Sequence, residues 1–201
     1  MTTIAKLVKD WETKNARSVA KASGISMMAL SLAACGGGGS APAPVVVVEV
    51  VPITSALTIW NDTVTGTTAD DVVTGARIDT VQVFNSGDSI VLGDGNDSLS
   101  ATLNAGTVTP VAMTGVENVM FTVLGDATVD FDNVSGVTSI ISRGSSATLL
   151  VDDIQEIPTS ISINNNTAVQ TFVIKDSAVS GASDSITLNF DGVGGVVNVG
   201  G

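Results

Sequence analysis

The 201-residue chain has no histidine, no tyrosine and only one cysteine. Without histidine it cannot build a Ser-His-Asp triad, a Cys-His dyad, a HExxH zinc site or an imidazole base. A lone cysteine excludes an internal disulfide and any cysteine-cluster metal site. Aromatic residues are 3% of the chain, which removes the usual stacking platforms for sugars and bases. Charged residues are only 14%, with 20 acids against 8 bases and a net charge of −12. That balance argues against a nucleic-acid partner held by its phosphates. No uninterrupted apolar run reaches the roughly 18 residues that a membrane-spanning helix needs. What the chain has in quantity is valine, threonine and glycine, a composition of ordered β-structure rather than disorder.

The charge is unevenly placed. Five of the eight bases fall at Lys6, Lys9, Lys14, Arg17 and Lys21, whereas residues 35–201 carry 18 acids and 3 bases, a net of −15. Ile4, Leu7, Val8, Trp11, Ala16, Val19 and Ala20 recur at helical spacing, which predicts an N-terminal helical leader over residues 1–34. Its basic start, its apolar stretch from Ile25 to Ala34 and the small residues that follow have the layout of a secretory signal. Leu32-Ala33-Ala34-Cys35 resembles a bacterial lipobox. The resemblance implies cleavage before Cys35, lipid attachment there, and anchorage to the outer membrane or cell surface. Several acyl chains, each gaining about 0.8 kcal/mol per buried CH₂, would make such an anchor stable. Residues 35–55, rich in glycine, serine, proline and valine, read as a linker.

Between residues 56 and 112 a nine-residue register appears. Asp70, Asp79, Asp88 and Asp97 are nine apart, and each is followed two positions on by Val72, Val81, Ile90 or Leu99. The block Leu92-Gly93-Asp94-Gly95-Asn96-Asp97-Ser98-Leu99-Ser100 resembles the GGxGxDxUx nonapeptide of RTX proteins, and the other blocks keep only part of it. The resemblance implies a parallel β-roll in which blocks 18 residues apart stack, pairing Asp70 with Asp88 and Asp79 with Asp97. It also implies calcium as the cofactor, held between turns by Asp70, Asp79, Asp88 and Asp97, with Gly93 and Gly95 freeing the backbone to aim its carbonyls. Trp60 is expected to pack in the first turn.

From residue 113 to 201 a period of about 21 residues takes over. Thr114–Phe121, Ser135–Ile141 and Glu156–Ile163 are successive copies, and segments beginning at Ala127, Ala147 and Ala168 recur between them. Ser185–Phe190 and Val196–Val199 continue the theme. A single such unit cannot bury its apolar face, so stacking is required. The expected fold is therefore all-β: a parallel β-solenoid with an RTX-like β-roll followed by β-helix-like Val/Thr repeats. A β-sandwich is the alternative that strand spacing also permits. No polar cap is recognisable at the last residues, so the stretch reads as a fragment or as an end covered by a partner.

An RTX-like stretch followed by Val/Thr repeats resembles surface-layer and related giant cell-surface proteins of Gram-negative bacteria. The resemblance implies a structural protein of an S-layer-like or adhesive coat, stabilised by calcium and meeting its own copies or glycans. It departs from those proteins in carrying an N-terminal leader. The alternatives are the non-catalytic part of a larger secreted enzyme and a surface-binding lipoprotein without calcium. No enzymatic role is expected of the chain itself. Asp152 and Asp153, as strand neighbours, should face opposite ways, and Asp130 and Asp132 share a face that reads as solvent-exposed.

Overall fold

The computed structural model describes residues 49–180 and 184–201. The helical leader, the lipobox with Cys35 and most of the linker lie outside these residues. The chain from Val50 onward forms one compact unit. Its first strands are β1 (Thr54–Ala56), β2 (Thr63–Thr65), β3 (Val72–Gly75), β4 (Ser89–Val91) and β5 (Ser98–Leu103). There follow β6 (Gly106–Val108), β7 (Ala112–Thr114), β8 (Asn118–Val123), β9 (Ala127–Asp130), β10 (Val134–Ser135) and β11 (Ser139–Arg143). The last are β12 (Leu149–Ile154), β13 (Ser160–Asn164), β14 (Gln170–Ile174), β15 (Thr187–Asp191) and β16 (Val197–Gly200).

These strands make three sheets, ordered β1-β3-β5-β8-β11-β13-β15, β2-β4-β7-β10 and β6-β9-β12-β14-β16. Every pairing between them is parallel. Each return of the chain to a sheet lays the next strand beside the last one. This order is not that of a sandwich, whose sheets are antiparallel. Pairings β4–β7 and β5–β8 cross residue 112, so the two repeat types pack without a break between them.

Alternation explains the interior. In β5 and β8 every second residue is buried: Leu99, Ala101 and Leu103, then Val119, Phe121 and Val123. Parallel register lines these positions into columns, one of them running Val73, Leu99, Val119, Ile140 and Ile161. All five are at most 1% exposed. In the next column Phe121 lies between the small Ala101 and Ser142. Its ring meets Phe84, the centroids 6.4 Å apart and the planes 20° from parallel.

The spacing departs from the expected one in the acidic half. Thr54 pairs with Val72, the anticipated 18 residues on. Thr63, however, pairs with Ser89 and Val72 with Ser98, both 26 residues on. The extra length lies between β3 and β4, where Ile78 and Val81 form an antiparallel bridge around Asp79. Asn104 ties this excursion to the main body, its side-chain amide donating to the Thr80 carbonyl and its backbone N–H to Gln82 Oε1 at 2.8 Å. The later period is as expected, with Asn118, Ser139 and Ser160 aligned at intervals of 21. In the third sheet Ala127 aligns with Leu149 and Gln170. Ala147 and Ala168 instead occupy the bends before those strands. Trp60 does not pack inside: it is 73% exposed, in the turn between β1 and β2.

Candidate functional site

The turn Leu92–Asp97 joins β4 to β5. Gly93 and Gly95 both have positive φ, 98° and 139°, a region that side chains other than hydrogen rarely tolerate. Space sets a second limit. A Cβ on Gly95 would stand 2.7 Å from the Ala69 carbonyl oxygen and 2.8 Å from Asp97 Oδ1. This turn therefore lies tightly against the preceding one at residues 67–71. Asn96 N–H donates to Asp70 Oδ1 at 2.9 Å, and Asp71 N–H donates to Asp97 Oδ1 at 2.7 Å.

The second of those bonds belongs to a column. Ile53, Asp71, Asp97 and Glu117 each immediately precede a strand of the first sheet. Ile53 N–H donates to Asp71 Oδ1 at 2.6 Å, Asp71 N–H to Asp97 Oδ1, and Asp97 N–H to Glu117 Oε2 at 2.8 Å. Each carboxylate thus satisfies a backbone donor of the passage before it, a donor that the strand ladder does not reach. The column loses its charge at Thr138, whose hydroxyl donates to the Glu117 carbonyl at 3.3 Å. The second sheet has a shorter version, in which Asp62 N–H donates to Asp88 Oδ1 at 2.9 Å.

Asp71, Asp88 and Asp97 have no exposed surface. Burial pushes the Asp71 carboxyl up, but the N–H groups of Ile53 and Thr67 and the Thr67 hydroxyl outweigh it and hold it below its usual range. Asp97 goes the other way. Burial raises it, the Asp71 N–H opposes, and the negative charges of Asp71, Glu117 and Asp70 raise it further. Asp88 is also raised, by burial first, against bonds from Asn85 and Asp62 N–H and with the Asp62 charge adding to the rise. Asp97 Oδ2 has no hydrogen-bond partner among the described residues.

These opposite directions predict a pH signature. A carboxyl raised on folding binds its proton more tightly in the folded state. The Asp97 and Asp88 contributions therefore favour the fold at low pH and are lost as pH rises through their raised values. Asp71 contributes above the ordinary value of about 3.9 and loses that contribution as pH falls through its lowered one. Urea midpoints measured from pH 3 to 7 are expected to fall less steeply with rising pH in Asp97→Asn than in the wild type. Parallel profiles would contradict the assignment.

The structure brings together Asp70, Gly93, Gly95 and Asp97 of the residues singled out in the sequence. It does not stack Asp70 on Asp88 or Asp79 on Asp97, because the excursion after β3 shifts the register. Asp79 lies exposed on that excursion, in a left-handed conformation at φ 54°. Asp71, Asp62 and Glu117 were missed. A signal for two of them was present: Asp62 and Asp71 are nine apart, as are Asp88 and Asp97, and only the interval between the pairs is irregular.

A second acidic group lies on the third sheet. Carboxylate oxygens of Asp130, Asp132 and Asp153 all lie within 4.8 Å of one another, the one such trio among the described residues. Regular alternation would turn Asp153 opposite to Asp152, which pairs with Asp130 across the sheet. The φ of 51° at Asp153 and the register shift between Val151 and Ile154 break strand alternation there. Lys175 Nζ is 3.4 Å from Asp132 Oδ1, so this group already has a counter-charge from the chain. Compared with protein-family models, with curated proteins and with solved structures, the chain matches none of them.

Proposed function

We propose that this chain is a structural module of a cell surface: a parallel β-solenoid serving an S-layer-like or adhesive coat, with acidic turns stabilised by calcium. The observation that carries the reading is the repeated return of the chain to the same parallel sheets, each passage covering the one before. A stack of this kind gains its stability from neighbour-on-neighbour burial and offers long, regular faces for its own copies or for glycans. Outward positions of the first sheet suit such contacts, since Ser98, Asn118, Ser139, Ser160 and Thr187 form one uncharged polar row across five strands. Calcium fits the reading because carboxylate and carbonyl oxygens are its preferred ligands, and metal held by the folded turns adds to folding free energy. In this reading Cys35 is the lipid attachment point that fixes the module to the outer membrane.

The anchor is tested by labelling a Gram-negative host with radioactive palmitate. Wild type is expected to carry label and to fractionate with the outer membrane, and Cys35→Ser to lose both. Unlabelled wild type would remove the anchor. Surface accessibility to added protease in intact cells tests the location itself.

A further inference from the structure

Two turns of the fold are closed by the same set of bonds. Thr58 N–H donates to Asp62 Oδ2 at 2.6 Å, the Thr58 hydroxyl donates to that carboxylate, and Trp60 N–H donates to Thr58 Oγ1 at 3.2 Å. Nine residues on, Thr67 N–H donates to Asp71 Oδ2 at 2.5 Å, the Thr67 hydroxyl to that carboxylate, and Ala69 N–H to Thr67 Oγ1 at 3.1 Å. The positions between differ in chemistry. Where the second turn has Thr68 and Ala69, the first has Ile59 and Trp60. The bonds use the main chain and the Thr and Asp side chains, so the turn itself has no need of an indole or a branched aliphatic. Yet Ile59 is 47% and Trp60 73% exposed. Leaving that apolar area in water is unfavourable, and a turn fixed at both ends cannot fold it inward.

The surroundings point to one partner. The polar side chains beside this pair are turned to the fold: Asn61 lies against Gly87 and Asp62 is held by Thr58. A sugar site would instead aim such groups outward beside the ring. Val50 and Val51, just before β1, are exposed as well. Tryptophan, an apolar body with one polar N–H, favours the boundary between water and lipid. Chain length supplies a second argument. Between residue 35 and residue 49, the first one described, the chain spans at most about 50 Å. An anchor at Cys35 would keep the first passage beside the bilayer, where tethering turns a weak contact into an occupied one.

We propose that the Ile59–Trp60 turn inserts into the headgroup–acyl boundary of the bilayer, so that the first passage of the stack rests on the membrane. This rests on the reading of Cys35 as a lipid anchor and adds a contact to it. The contact is apolar, since residues 35–201 carry a net −15 that anionic lipid would repel.

The test uses the whole chain with Trp11→Phe, which leaves Trp60 as its one tryptophan. It is produced in a Gram-negative host and reconstituted into phosphatidylcholine vesicles. Trp60 emission is expected to be quenched by lipid brominated on its acyl chains and to resist iodide in the buffer. Ile59→Asn, at an exposed position, should weaken the bromine quenching and leave the melting temperature unchanged. Val196→Trp, at an exposed position of the last passage, is combined with Trp60→Phe and should show the reverse: open to iodide, untouched by bromine. Vesicle-bound chain with Trp60 open to iodide and untouched by bromine would overturn the contact and leave the anchor standing. Bound, bromine-quenched chain that carries no palmitate would overturn the anchor and leave the contact standing. Protection from both quenchers would mean a protein or glycan cover and would overturn the lipid contact. Chain that stays off the vesicles would overturn contact and anchor together.

Discussion

Replacing Phe121 by alanine is expected to lower the stability of the fold by about 3–5 kcal/mol, the range for removing a fully buried phenylalanine. Phe121 has no exposed surface and packs on Phe84. Its column neighbours, Ala101 and Ser142, are too small to fill the space it would leave. They sit on strands held in register from both sides, so the cavity cannot readily collapse. Urea unfolding should show a lower midpoint with an unchanged slope. The control is Met120→Ala, one residue away on the outward face, where a change within about 0.5 kcal/mol is expected. Equal losses at the two positions would contradict the assignment of inward and outward faces.

The second large effect is expected at Asp71. Substitution by alanine removes the acceptor for Ile53 N–H, for Thr67 N–H at 2.5 Å and for the Thr67 hydroxyl. Leaving two backbone donors without partners costs about 1–3 kcal/mol each, and both donors are partly within reach of water. The expected loss is therefore about 2–4 kcal/mol. Asp71→Asn retains one acceptor oxygen and should lose about half as much. The wild-type advantage over Asp71→Ala should shrink as pH falls below about 4, because protonation of Asp71 removes the same charge-assisted bonds. An advantage independent of pH would show that Asp71 acts through packing and not as an acceptor.

The two effects come from different parts of the fold. Phe121 belongs to the columns of apolar residues, where each passage is held by burial. Asp71 belongs to the corner, where the chain leaves one sheet and backbone donors face away from the ladder. A stack of parallel strands needs both, because strand pairing satisfies the main chain only within the strands. The acidic character of this half of the chain thus has a specific use. Aspartate and glutamate are short acceptors able to take backbone N–H groups from a neighbouring passage. Where threonine replaces them at Thr138, the column continues without charge. The same substitution of chemistry is seen at the corner between β11 and β12. There Ser145 N–H donates to Asn166 Oδ1 at 2.8 Å, and Ser142, Ser145, Asn166 and Gln170 are buried together.

The amino-acid order was sufficient for the class of fold and for much of its period. Alternation in Ser98–Leu103 and Asn118–Val123 marks half-buried strands because strand side chains alternate with period two. The 21-residue interval marks stacking because one unit alone leaves its apolar face uncovered. That Gly93, Gly95 and Asp97 share one tight turn was also readable, since a glycine-rich stretch beside an acid is a local pattern. Three things required the tertiary structure. The excursion at Ile78–Val81 displaces the register by eight residues, from 18 to 26, and no local signal separates such an insertion from one more repeat. Asp153 joins Asp130 and Asp132 only because a left-handed residue and a register shift reverse its side chain. Glu117 meets Asp97 across 20 residues, through the pairing of β5 with β8. Composition and period act along the chain and can be read there. Which carboxylates share a buried corner depends on how far each passage travels before it returns, and that distance is decided by packing.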